Sequence, residues 1–168
     1  MAINLRTCLV LWLLCLCSTL WADEGESGSK SPDRWKVKEW KVQTSLYTKH
    51  WSDNPDHVND QNLINVEMVY NNDWLAGGAY FDNSFGQSSW FLYMGHQWPL
   101  FHSKYWYFKL MGGLLYGYKD EYKDKIPLNG NEIAPAILPS IGLRYKHVFT
   151  ELNIAGTAAI TVTAGISF

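Results

Sequence analysis

From residue 40 onward the chain alternates apolar and polar positions with a period of two. In the last nine residues Ile160, Val162, Ala164, Ile166 and Phe168 share one face, and Thr161, Thr163, Gly165 and Ser167 the other. In Leu63–Tyr70, Ile64, Val66, Met68 and Tyr70 oppose Asn65 and Glu67. In Tyr105–Leu115, Trp106, Phe108, Leu110 and Leu114 oppose Tyr105, Tyr107 and Lys109. Successive side chains of a strand point to opposite faces, so each segment predicts a strand with one apolar side. The stretch Trp90–Trp98 is apolar on both faces and gives no direction. The pattern predicts strands over about 40–50, 62–71, 74–83, 87–98, 105–116, 134–145, 148–155 and 159–168. Short connections (71–73, 99–104, 146–147) then fall at one end and longer ones (51–61, 84–86, 117–133, 156–158) at the other.

The first 22 residues differ. A single charge, Arg6, precedes an apolar run from Cys8 to Cys17, which ends in the small and polar Ser18 and Thr19 and reaches Ala22 before Asp23-Glu24. That order predicts a secretory signal over 1–22, because the run is too short for a transmembrane helix of about 20 apolar residues. All three cysteines lie inside it, so an exported mature chain has no disulfide. Residues 23–39 read as a polar N-terminal segment, with Trp35–Trp40 as a short interfacial turn.

Only 18% of residues are charged, below the quarter expected of a soluble domain. The net charge of −2 excludes a nucleic-acid-binding surface as the main feature. Three cysteines and five histidines supply no metal-ligand spacing, so neither a metal nor another cofactor is expected. No later stretch is apolar enough for a helical span. Lipid cannot satisfy open sheet edges, so the architecture that fits is closed. Residues 40–168 therefore predict an all-β fold: an eight-stranded antiparallel transmembrane β-barrel of the outer membrane, existing as a monomer. Trp40, Trp74, Trp90, Trp98, Tyr105 and Tyr145, near strand ends, fit two interfacial girdles. A soluble β-sandwich or lipocalin-like barrel is the competing architecture.

Polar chemistry gathers where strands meet the longer loops. His50 ends the first strand and Asp82-Asn83-Ser84 ends the third, on the same rim. A histidine, a hydroxyl and an amide or carboxylate are the parts of acyl transfer. The alternative is plain turn chemistry at Asn83-Ser84 and a solvated His50. Pro135 and Pro139 on the sixth strand, after Pro127, deny the ladder their donors. They predict either a lateral weakness in the wall, open to a lipid, or a device that shapes the third long loop.

These residues resemble the lipid A palmitoyltransferase (PagP) family of Gram-negative outer membranes. Thr48-Lys49-His50 matches its Thr-x-His, and Phe81-Asp82-Asn83-Ser84-Phe85 its Phe-x-Asp-Ser-Trp. Ile126-Pro127-Leu128, Pro135-Ala136-Ile137-Leu138-Pro139 and the run Gly142 to Tyr145 follow in the family's order, and both chains end in Phe. The resemblance implies transfer of a palmitoyl chain from a phospholipid to lipid A. It implies His50, Asn83 and Ser84 as catalytic residues, and a lateral gate at Pro127, Pro135 and Pro139. It also implies a barrel interior that gauges chain length, for whose floor Gly95, Gly112 and Gly113 are candidates. The chain departs from the family where Asn83 stands for an aspartate, leaving Asp82 as an alternative acid or base. It departs again at Gln43-Thr44-Ser45, which lacks the family's first-strand proline. Two other functions remain open: a lipid A deacylase using His50-Trp51-Ser52, and a non-catalytic structural barrel.

Overall fold

A computed structural model describes residues 33–51, 62–126, 128–129, 132–156 and 158–168. The expected signal, most of the polar N-terminal segment, Ser52 and Pro127 lie outside the described residues. Eight strands follow in chain order: β1 (Val37–His50), β2 (Ile64–Tyr70), β3 (Trp74–Asp82), β4 (Ser88–Pro99), β5 (Trp106–Tyr116), β6 (Ile133–Tyr145), β7 (Val148–Ala155) and β8 (Ala159–Ser167). Each pairs antiparallel with its neighbours in sequence, and β8 returns to β1 to close the barrel. The last residue completes the seam, because Trp40 and Phe168 exchange both backbone hydrogen bonds, at 2.8 and 3.0 Å. The barrel begins at Val37 rather than 40. Val37–Glu39 is therefore wall rather than an interfacial turn, held by the pairing of Val37 with Tyr70.

The wall is inside out compared with a soluble barrel. Ile64, Val66, Leu92, Met94, Leu114, Ile137, Leu152 and Ile166 are exposed on its outer face. Lys41, Gln43, Asn65, Glu67, Gln97, Lys109, Glu151, Asn153 and Thr163 are buried within. The ambiguous β4 resolves into Phe91, Tyr93, Gly95 and Gln97 inward, with Leu92, Met94 and Trp98 outward. Trp90 stacks on Tyr116 at the loop end, and Trp98 on Phe108 near the turn end. Trp90 and Trp98 are eight residues apart, about 26 Å along a strand and ~20 Å along the axis at the usual barrel tilt. That approaches the apolar band of about 25 Å of membrane barrels.

Four charges occupy the middle of the interior. Lys109 Nζ lies 2.9 Å from Glu67 Oε2 and 2.8 Å from Glu151 Oε2. Lys41 Nζ stands 3.5 and 3.7 Å from the same two carboxylates. It also sits over the rings of Tyr107 and Phe149. The Tyr93 hydroxyl donates to Glu67 at 2.9 Å, and that of Tyr107 to Glu151 at 2.7 Å. Both rings need glycine opposite them: a Cβ at Gly77 would strike the Tyr93 hydroxyl, and one at Gly142 the Tyr107 ring. Two lysines and two glutamates balance, so the interior holds ions without net charge, as burial requires.

Candidate functional site

His50 reaches the interior because β1 carries a bulge. Lys41, Gln43 and Ser45 point inward at odd numbers, and a regular strand would send His50 outward with Val42 and Thr44. The register shifts between Ser45 and Tyr47, where Leu46 and Tyr47 are both exposed. Beyond the shift Thr48 and His50 are buried, and Thr48 meets the inward Thr161 at 3.1 Å. One extra residue thus reverses the facing of the strand end, a known use of bulges beside functional sites.

Ser84 comes from the hairpin that joins β3 and β4. The β1–β2 ladder stops at Thr44 and Ile64, and the β2–β3 ladder at Ile64 and Tyr80. Short β2 leaves the loop end of β1 free to approach the β3–β4 hairpin across it. His50 Nε2 and Ser84 Oγ lie 2.6 Å apart, and both residues are buried. The structure thus brings these two expected residues into direct contact.

Asn83 is engaged otherwise. Its Oδ1 accepts from the backbone N–H groups of Phe85 (2.9 Å) and Gln87 (3.1 Å), while its Nδ2 donates to the Gly117 carbonyl (3.1 Å) and to Gln87 Oε1 (3.5 Å). This is an Asx turn pinned to the neighbouring loop. Asn83 shapes the hairpin that presents Ser84 and is bonded to neither Ser84 nor His50. Asp82 points to the other face of β3, where its carboxylate accepts from Asn62 Nδ2 (3.2 Å) and Ser88 Oγ (3.5 Å). It stands apart from the His50–Ser84 contact.

The sequence did not single out Tyr118. Its phenol is hydrogen-bonded to the side chain and backbone of Ser84, and burial, opposed by those bonds, raises its hydroxyl above the ordinary tyrosine range. Phe85 packs edge-on to Tyr118 and stacks on Tyr122 at 4.0 Å. The loop after β5, with its 3-10 turn Asp120–Lys125, is thereby pressed against the Ser84 hairpin. A Gly-Tyr pair at a strand end was the available signal, and it says nothing of contact with a distant hairpin.

Pro135 lies exposed and Pro139 half-buried on the outward parity of β6. Residues 133–143 pair with β5, but the β6–β7 ladder stops at Ser140 and Asn153. The segment Ile133–Pro139 is therefore laddered on one side only. Since proline has no N–H, two of its positions offer no donor to a further strand.

The interior above the charges is shallower than a palmitoyl chain is long. From Ser89 at the rim to Tyr93 above the charged quartet is about 13 Å along β4, or ~10 Å of depth. A C–C bond of ~1.5 Å at ~111° advances about 1.25 Å, so that depth equals the length of about eight methylenes. Partly buried Ala79, Phe81, Leu115, Ala136 and Leu138 pack against the buried Val69, Leu75, Phe91, Tyr93 and Met111. The glycines named as floor do not form one: Gly112 faces outward, and Gly95 and Gly113 lie where a Cβ would collide with the neighbouring strand's backbone.

No family model matches the sequence, and no curated protein matches it. Among solved structures, a de novo designed transmembrane β-barrel is 13% identical, covering 80% of this chain and 98% of its own, with a TM-score of 0.47. Ail, an outer-membrane protein of Yersinia pestis, is also 13% identical, covering 77% and 99%, with a TM-score of 0.39.

Proposed function

We propose that this chain is an acyltransferase of the Gram-negative outer membrane, moving a palmitoyl chain from a phospholipid to a hydroxyl of lipid A. The observation that carries the reading is the buried 2.6 Å contact between His50 Nε2 and Ser84 Oγ on the loop-end rim of a barrel with an apolar exterior. With Nε2 unprotonated, the Ser84 hydroxyl donates to His50. Ser84 Oγ attacks the ester carbonyl as its proton passes to His50 Nε2. The lysophospholipid oxygen leaves with that proton. The acceptor hydroxyl then gives its proton to His50 and takes the acyl carbon, and Ser84 recovers its proton from His50. The one-sided segment Ile133–Pro139 is the proposed lateral opening. No metal or cofactor enters any step.

Mass spectrometry of lipid A from cells with and without the chain tests this. A gain of one palmitoyl mass, reduced at least about 10³-fold by Ser84→Ala or His50→Ala, is expected from loss of a nucleophile or its base. A second reading, a non-catalytic barrel, draws support from Asn83, which replaces a carboxylate and is bound within its own hairpin. It predicts unchanged lipid A. Loss of an acyl chain instead would support the deacylase, whose Ser52 is outside the described residues.

A further inference from the structure

His50 and Ser84 are only 7% and 8% exposed, too little for a hydroxyl that must meet a bulky ester. The segment 117–126, which follows β5, lies along the hairpin that carries Ser84 and touches it at successive points. The Gly117 carbonyl accepts from Asn83 Nδ2 at 3.1 Å, and the Lys119 N–H donates to Gln87 Oε1 at 3.0 Å. Between these two anchors the Tyr118 phenol is bonded to Ser84. One turn further on, Tyr122 stacks face to face on Phe85, with the ring centroids 4.0 Å apart and the planes within 13° of parallel. Phe85 meets Tyr118 edge-on as well, so a single hairpin ring is gripped by two rings of the neighbouring segment. The base of the segment is fixed, because a Cβ at Gly117 would strike Ser89 on β4. Gly117 and Asp120 both take left-handed φ, 125° and 52°. Glycine has that freedom, but for Asp120 the conformation carries strain of the kind found in switch regions.

We propose that segment 117–126 is a lid over the His50–Ser84 pair, hinged at Gly117 and latched by the stack of Tyr122 on Phe85, so that the site rests closed. While the lid is down, Tyr118 takes up a bonding site of Ser84 Oγ and occupies the space beside it. Lifting the segment withdraws Tyr118 and exposes the hydroxyl in one movement, as loop opening does at many enclosed sites. The lid rests on the acyl-transfer reading only for what the opening admits, an ester at Ser84 Oγ. Reaction at Ser84 then proceeds only from the open fraction, and apparent affinity falls in proportion to it. The latch sets that fraction. A stacked aromatic pair stabilises its closed form enough that its loss should raise the open population about fivefold.

The test measures thiol accessibility in the full-length chain, folded in detergent micelles. Ser84→Cys places a thiol under the lid, and Ser88→Cys places one at an exposed position of the next strand as the control. A charged maleimide is added, and mass spectrometry of the peptides separates positions 84 and 88 from Cys8, Cys15 and Cys17. Position 84 should react at least about tenfold more slowly than position 88. Tyr122→Ala should speed labelling at position 84 about fivefold, ~1 kcal/mol, and leave position 88 unchanged. Phe85→Ala should act likewise, and the two together should not multiply, because both remove the same stack. Equal rates at positions 84 and 88 would overturn the lid, and so would a rate at position 84 that Tyr122→Ala leaves unaltered. Labelling needs no acyl transfer, so unchanged lipid A beside slow, Tyr122-dependent labelling refutes the acyl-transfer reading and keeps the lid. Should Ser84→Cys fail to fold, amide hydrogen exchange over residues 83–88 decides between the natural chain and Tyr122→Ala. Exchange about fivefold faster in the variant is expected, and equal exchange would overturn the proposal.

Discussion

Lys109 is the keystone of the interior charges, and replacing it should cost far more than replacing Lys41. Its ammonium touches both carboxylates within hydrogen-bond distance and is fully buried. Lys109→Met leaves Glu67 and Glu151 facing only Lys41, which stands beyond 3.4 Å from each. Removing one partner of a buried ion pair costs about 3–5 kcal/mol, between two and four powers of ten in the folding constant. Lys41→Met removes two longer contacts and an ammonium that makes no hydrogen bond among the described residues, so its cost should be less than half as large. Combining Lys109→Met with Glu151→Met restores the balance and should recover most of the loss, because apolar replacement of a whole buried pair is often nearly neutral. Urea titration of the vesicle-inserted barrel, followed by tryptophan emission and gel mobility, measures all three. Equal losses for the two lysine variants, or no recovery in the double variant, would refute a stabilising quartet centred on Lys109.

Three further outcomes follow from geometry. Asn83→Asp keeps the acceptor of the Asx turn but sets an anionic oxygen against the Gly117 carbonyl, so urea titration should show a loss of about 1–3 kcal/mol and lipid A assays no gain in activity. Deleting Leu46 removes the bulge but leaves Tyr47 opposite Val162 and Thr48 opposite Thr161, so Thr48 and His50 still face inward; the barrel should still close, and acyl transfer should persist well above the level of His50→Ala. At the turn end, partial burial opposes ionisation of Asp73, but the Lys38 ammonium and Gln97 amide outweigh it and hold the carboxyl below its ordinary 3.8. The advantage of the natural chain over Asp73→Asn should thus be complete above about pH 4 and fade as pH falls below 3.8, and at this exposed site it should not exceed ~1 kcal/mol.

The wall was legible because a bilayer-facing strand writes its parity into the sequence. β7 occupies 148–155 as expected, and β8 differs from the expected 159–168 only at its last residue. The same parity shows Gly112 in step with Leu110 and Leu114, hence outward, so its candidacy for an interior floor conflicted with a pattern already visible. The quartet was hidden for another reason. Lys41, Glu67, Lys109 and Glu151 sit on four strands, and only the register of the closed barrel reveals that they share one level. His50 lay beyond parity altogether, since an extra residue between Ser45 and Tyr47 reverses the count without altering composition. The contact of Tyr118 with Ser84 depends on how one loop leans on another hairpin, which no local period encodes.

The distribution of the four interior charges along the chain bears on how the barrel enters its membrane. Lys41 and Glu67 belong to the first hairpin, β1–β2, whereas Lys109 and Glu151 belong to β5 and β7. Each portion thus brings one cation and one anion to the quartet. The final zipping of β8 onto β1, at Trp40 and Phe168, is then the moment at which two neutral pairs merge into one network. Closure of the seam and completion of the interior become a single cooperative event, and a half-zipped barrel is left without the contacts that stabilise the whole.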